Sequence, residues 1–198
     1  MPSGIIIVDK PRDWTSQDVA AKLRGVFHER RVGHGGTLDP MATGVLPVFI
    51  GRATRAVEFF EAAEKEYVAG LRLGLETNTQ DVTGETLREA PVDVTREQLE
   101  AVLQQFLGLQ EQLPPMYSAV KIGGKKLYEL ARQGKTVERK PRRIEIPELE
   151  LLDGGGNEYQ IRVRCSKGTY IRVLLEDIAA AMGQKGTMSA LRRIAAGV

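Results

Sequence analysis

The twelve residues Gly33-His34-Gly35-Gly36-Thr37-Leu38-Asp39-Pro40-Met41-Ala42-Thr43-Gly44 are the densest run of punctuation in the chain. Their four glycines permit backbone conformations and close approaches that a Cβ would forbid, so something must come near this loop. It lacks the closing Gly-Lys-[Ser/Thr] of a phosphate-binding P-loop and the third glycine of a dinucleotide fingerprint. Asp39, just before a proline, fits either a turn aspartate bonded to its own backbone or a reactive carboxylate displayed between glycine turns. Arg172, in Cys165-Ser166-Lys167-Gly168-Thr169-Tyr170-Ile171-Arg172, is a candidate partner. An arginine beside an aspartate favours the ionised form that a nucleophile or base requires. A phosphate ligand and an ordinary surface ion pair are equally open readings of Arg172.

Other chemistries are poorly served. The single cysteine, Cys165, has no internal partner, and His28 and His34 have no metal-ligand spacing, so no disulfide, metal or cofactor is expected. The N-terminus lacks the pattern of a secretory signal and no apolar run approaches a membrane span, which predicts a cytoplasmic, soluble protein. The net charge of +2 hides an asymmetry, because residues 121–143 carry nine basic side chains against two acidic ones, +7 locally, leaving −5 elsewhere. A concentrated basic segment suits a polyanion such as RNA, although a solvated loop would look the same.

The elements that must position these residues are legible from periodicity. Gly4 to Val8 reads as a buried strand ended by Asp9-Lys10-Pro11, and Thr15 or Ser16 caps a helix with Val19, Ala20, Leu23, Val26 and Phe27 on one face. Val45 to Ile50 reads as a second strand, Ala53 to Ala63 as a helix, and Tyr67, Ala69, Leu71 and Leu73 alternate as a strand. Thr95-x-x-Gln98 is a capping box opening a helix buried through Leu99, Val102, Leu103 and Phe106, with Gly108 as its stop. Residues 113–142 read as a basic, glycine-studded insertion. Tyr159, Ile161, Val163 and Cys165 alternate as a half-buried strand, and Ile171 to Met182 forms a last helix stopped by Gly183. The expected fold class is α+β: one domain over 1–198, a mixed sheet with flanking helices.

The loop Gly33-His34-Gly35-Gly36-Thr37-Leu38-Asp39-Pro40-x-Ala42-Thr43-Gly44-x-Leu46-Pro47 closely resembles the catalytic signature of the TruB-type tRNA pseudouridine-55 synthases. The resemblance extends over almost the whole chain, through Asp9-Lys10-Pro11, Trp14-Thr15-Ser16, Lys65-x-Tyr67, Thr77-x-Thr79-x-Asp81-x-x-Gly84, Pro114-Pro115-x-Tyr117-Ser118-Ala119-x-Lys121, Leu127-Tyr128-x-x-Ala131-Arg132-x-Gly134 and Cys165-Ser166-x-Gly168-Thr169-Tyr170-Ile171-Arg172. It implies a largely antiparallel sheet crossed by a cleft beneath Asp39, and a base-flipping isomerisation of uridine 55 in the tRNA T-loop. Asp39 would be the catalytic aspartate, Arg172 its partner, and Tyr67 the ring that stacks on the flipped base and assists proton transfer. Asp81 would join their polar network, and His34 would fill the space the base vacates. Tyr170 and Leu191 would line the uridine pocket. Segment 113–142 would grip RNA, with Lys125, Lys126, Arg132 and Arg142 as candidate phosphate contacts. Lys10 and Pro11 would be structural. The resemblance implies tRNA, through its T stem-loop, as the partner, and a monomer needing no protein partner.

Two departures stand out. Arg12-Asp13 replaces the family's residue-plus-glycine before Trp14, and the chain ends at Val198, where many members continue into a small C-terminal RNA-binding domain. The expectation is retained catalysis with weaker RNA affinity. The rival readings are a non-catalytic RNA binder, the guide-dependent branch acting on ribosomal RNA and, more distantly, a small-molecule phosphotransferase. A pure binder needs neither Asp39 nor Tyr67.

Overall fold

The computed structural model describes residues 2–197. Strand β1 (Gly4–Lys10) leads into helix α1 (Ser16–Phe27). Thr15 caps that helix: its hydroxyl accepts from Asp18 N, and the Asp18 carboxylate accepts from Thr15 N, a complete capping box. Strands β2 (Val32–His34) and β3 (Thr43–Ile50) flank the glycine loop. The helix expected over 53–63 is split into a 3₁₀ turn, Gly51–Ala56, and α2 (Val57–Ala62). No side chain caps the entry of either piece.

The long strand β4 (Lys65–Leu73) is followed by β5 (Leu75–Thr77), β6 (Thr86–Glu89) and α3 (Arg96–Leu103). The Thr95/Gln98 capping box opens α3 as expected, and Leu99 and Leu103 are buried. That helix stops at Leu103, and Gly108, at φ +86°, instead begins β7 (Gly108–Gln112). The hairpin β8 (Lys121–Ile122) and β9 (Lys125–Lys126), then α4 (Leu127–Ala131), lie between β7 and β10 (Arg142–Ile146). The chain closes with β11 (Glu148–Gly155), β12 (Glu158–Cys165), α5 (Ile171–Ala181) and β13 (Gly186–Ala196).

A seven-stranded sheet carries the molecule, in the order β1-β3-β13-β4-β12-β11, with β2 also paired to β3. Every pairing is antiparallel except a short parallel contact of β13 with β3, at Arg192 opposite Thr43 and Arg193 opposite Gly44. The inward faces of β4 (Tyr67, Ala69, Leu71, Leu73) and β12 (Tyr159, Ile161, Val163, Cys165) bury their side chains in one core with α3 and α5. A second core lies under α1, where Val19 and Ala20 meet Val32, Leu46, Val48 and Ile50. Strand β13 was not expected from the sequence. Two bulges, between Met188 and Ala190 and between Arg193 and Ala195, break its period of two, and an arginine occupies an inward position.

Because β7 and β10 pair with each other, Gln112 opposite Arg142, the chain between them leaves and returns at one place. Its return is held by Arg139 Nη1 donating to Pro114 O at 2.9 Å.

Candidate active site

The glycine loop is pinned on both sides before it presents Asp39. Ser16, buried at the start of α1, accepts from Leu38 N at 2.9 Å and donates to Leu38 O at 3.3 Å. Lys10 Nζ, fully buried, donates to the carbonyls of Pro11 (2.9 Å), Trp14 (2.5 Å) and Pro40 (3.3 Å). Burial pushes its pKa down, but with three carbonyls the ammonium is fully hydrogen-bonded and ties the N-terminal segment to the residue after Asp39. Asp13 N also donates to Pro40 O, at 2.8 Å. The unusual Asp13 adopts φ +66°, the left-handed conformation that a glycine would take without strain.

Arg172, the second residue of α5, is 7% exposed and places Nε 3.1 Å from Asp39 Oδ2, while the Asp39 side chain keeps 38% of its surface open. Its other donors are fixed by carbonyls: Nη1 to Thr79 O at 2.8 Å and Nη2 to Tyr117 O at 2.9 Å. Two further chain segments thus hold the guanidinium against the Asp39 carboxylate. Asp81 serves two ends. Its Oδ1 accepts from Thr79 Oγ1, Thr83 N and Thr83 Oγ1, building a turn, while Oδ2 faces Arg172 Nε at 4.0 Å. Gln80, at φ +63°, is held from outside by the carboxylate of Glu176 one helical turn beyond Arg172.

Asp39, Tyr67, Asp81, Tyr170, Arg172 and Leu191 all line one open cleft of about 1250 Å³. Tyr67 is 8% exposed, and burial pushes its phenol up to about 12, so it is a neutral O–H across the physiological range. Tyr170 is anchored by its backbone, which exchanges two hydrogen bonds with the Gln112 side chain at 2.8 and 3.1 Å. His34 is not among the residues lining the cleft. Its Nε2 lies 3.2 Å from Gln17 Nε2 and its partial burial lowers its pKa, favouring the neutral ring at the start of the glycine loop.

The basic residues divide. Arg132, Arg142 and Arg143 line the cleft, whereas Lys125 and Lys126 sit on the β8–β9 hairpin outside it. Lys126 Nζ and Arg132 Cζ stand 5.3 and 5.5 Å from the centre of the Tyr128 ring, a cation-lined aromatic at the cleft rim. Arg142 belongs to β10 and so to the body of the molecule.

Sequence reading missed three contributors: the carbonyls of Thr79 and Tyr117, which no side-chain pattern reveals, and Arg193. Arg193 is 1% exposed, lines the cleft, and donates from Nε to Val45 O at 2.7 Å and from Nη2 to Gly36 O at 3.1 Å. An arginine between Leu191 and Ile194 was the available signal. Among the described residues no group of three or more His, Cys, Asp or Glu side chains is placed to hold a metal ion, and no helix is long and apolar enough to cross a membrane.

Comparison with known proteins agrees with this geometry. The chain superimposes on a chain of the crystal structure of a Cbf5-Nop10-Gar1 complex with TM-score 0.78 and 34% identity, covering 98% of this chain and 49% of that one. Residues 24–171 match the model of the TruB family pseudouridylate synthase N-terminal domain. The mixed sheet with its flanking helices is thus the pseudouridine synthase fold. The relatives narrow the class. The tRNA pseudouridine synthase B of Oenococcus oeni is 48% identical over 208 residues, covering 99% of this chain and 69% of the relative. That of Francisella tularensis subsp. novicida is 48% identical, covering 98% of this chain and 65% of the relative. This chain belongs to the TruB family, and it spans about two thirds of the length of these relatives.

Proposed function

We propose that this protein isomerises a uridine of tRNA to pseudouridine, and that the target is uridine 55 of the T-loop. The observation that carries the reading is the Asp39–Arg172 pair: an accessible carboxylate lining an open cleft, 3.1 Å from an arginine held by the carbonyls of Thr79 and Tyr117. The reaction breaks the bond from N1 of the base to C1′ of ribose, forms a bond from C5 to C1′, and releases the C5 proton. It is redox-neutral and transfers no outside group, so it asks for an ionised carboxylate and no cofactor. Arg172 holds the Asp39 carboxylate in place across their 3.1 Å contact; Asp39 enables the glycosidic exchange.

A stacked uracil cannot react, and extruding it costs a few kcal/mol, on the order that stacking on a protein ring restores. Tyr67 supplies that ring and a neutral phenol on the cleft wall. His34, at the start of the loop, fills the vacated space, and Tyr170 and Leu191 hold the base from the remaining sides. Asp81 maintains the Thr79 turn whose carbonyl grips Arg172. Lys125, Lys126, Arg132 and Arg142 contact phosphates of the T stem-loop, the first three from the excursion between β7 and β10 and Arg142 from the start of β10. The protein works as a cytoplasmic monomer without a protein partner.

The test is to treat unmodified tRNA transcript with the protein and map pseudouridine by position. The expected product is one pseudouridine per tRNA, in the T-loop. Modification confined to another stem-loop would overturn the target, and none at all would overturn the activity.

A further inference from the structure

We propose that Arg193 is a positioning residue for Tyr67, fixing the phenol against the cleft wall and setting the direction of its proton. Its effect on turnover rests on the RNA-isomerising reading above; its effect on the phenol does not.

Arg193 is the largest fully buried side chain of the protein, and among the described residues no carboxylate pairs with it. A buried guanidinium is costly unless its donors are used. Two of its five N–H groups are accounted for, by Val45 O and Gly36 O. Strand pairing sets Arg193 directly across from Tyr67 on β4, with Gly44 of β3 on its other side. Arg193 and Tyr67 both line the cleft. The side chain thus ties the loop that carries Asp39, through the Gly36 carbonyl, to β3, through the Val45 carbonyl, from the strand position that faces Tyr67. Lys65, another buried cation lining the cleft, has no donor left for the phenol, because it spends its three on the carbonyls of Phe60 (3.2 Å), Glu61 (2.7 Å) and Ala63 (2.6 Å).

A guanidinium can only donate, whereas a phenol can donate or accept. Beside Arg193, the Tyr67 oxygen therefore accepts, and its own hydrogen is turned away from Arg193 towards the cleft. Burial drives the phenol up to about 12, and Arg193 pulls in the opposite direction. A phenol whose oxygen is held by a cation and whose hydrogen faces the base is oriented for proton transfer; a freely rotating one is not.

The experiment uses protein labelled with ¹³Cζ-tyrosine, whose five resonances report the hydrogen bonding of each phenol at neutral pH. Tyr67→Phe identifies the Tyr67 signal. In Arg193→Met the Tyr67 resonance moves and the other four stay in place. With T stem-loop RNA, kcat falls about 10²-fold with KM largely kept, and the Tyr67→Phe/Arg193→Met double variant is no slower than the slower single one. Arg193→Lys, which keeps the charge without the fork, lies between and serves alone if Arg193→Met does not fold. An unmoved Tyr67 resonance in a folded variant, or losses that multiply in the double variant, would overturn the proposal. If the unsubstituted protein turns over no RNA, the enzymatic reading fails while the resonance still decides the Arg193–Tyr67 contact.

Discussion

Asp13 and Asp39 show how differently one residue type is used within a single loop system. Asp39 is accessible and paired to a buried arginine, while Asp13 sits at φ +66° with its side chain 86% exposed, its backbone N–H bonded to Pro40 O and its carboxylate 4.0 Å from the exposed Arg12. The left-handed conformation costs an L-residue roughly 1 kcal/mol that glycine does not incur. Asp13→Gly is therefore expected to raise stability by up to about 1 kcal/mol, a rise of about 2–4 °C in Tm, measured by thermal unfolding. An unchanged or lowered Tm would show that the backbone there is not strained. The Asp39 side chain is 38% exposed, so replacing it by asparagine removes a solvent-screened pair and should cost no more than about 1 kcal/mol of stability. Loss of activity in that variant can then be read as chemistry.

The elements that hold the site differ in how far their sequences announce them. Tyr67 to Leu73 and Tyr159 to Cys165 alternate cleanly because each strand faces a core on one side only, so both strands could be placed from the chain alone. The Thr95/Gln98 capping box was equally legible, whereas at α1 the sequence offered Thr15 or Ser16 and the structure uses Thr15, boxed with Asp18. Strand β13 was not legible. Its bulges put Met188 and Leu191, three apart, on the same side, and its buried Arg193 breaks the apolar pattern. Asp39 and Arg172 stood out by type, whereas the carbonyls that immobilise Arg172 depend on tertiary placement that no local pattern encodes. The junction of β13 with β3 is the tightest point. At Gly44, φ +104°, an added Cβ would lie 2.1 Å from Arg193 O, a backbone atom that cannot step aside. Gly44→Ala is expected to destabilise the fold by at least about 3 kcal/mol in denaturant titration. A loss under about 1 kcal/mol would mean the two strands are not in this register.

Across the whole molecule, charge and chemistry are separated and then joined at one point. The segment of residues 121–143 carries +7 against −5 elsewhere, and the excursion between β7 and β10 that holds most of it also supplies the Tyr117 carbonyl that holds Arg172. Lys125, Lys126 and Arg132 would meet phosphates, so replacing all three by alanine should weaken RNA binding whatever the loop sequence. It should also flatten the dependence of log Kd on log salt by about 0.7–0.9 for each phosphate no longer neutralised, read from binding titrations at several salt concentrations. An unaltered slope would place the RNA on another face. The central claim is that Asp39 performs a uridine isomerisation. It is tested most directly with a T stem-loop RNA tritiated at C5 of the target uridine, incubated with the protein and with its Asp39→Asn variant. Tritium release by the first and none by the second, both folded and both binding the RNA, is the predicted result. Release by the variant at the rate of the unsubstituted protein, or no release by either, would contradict it.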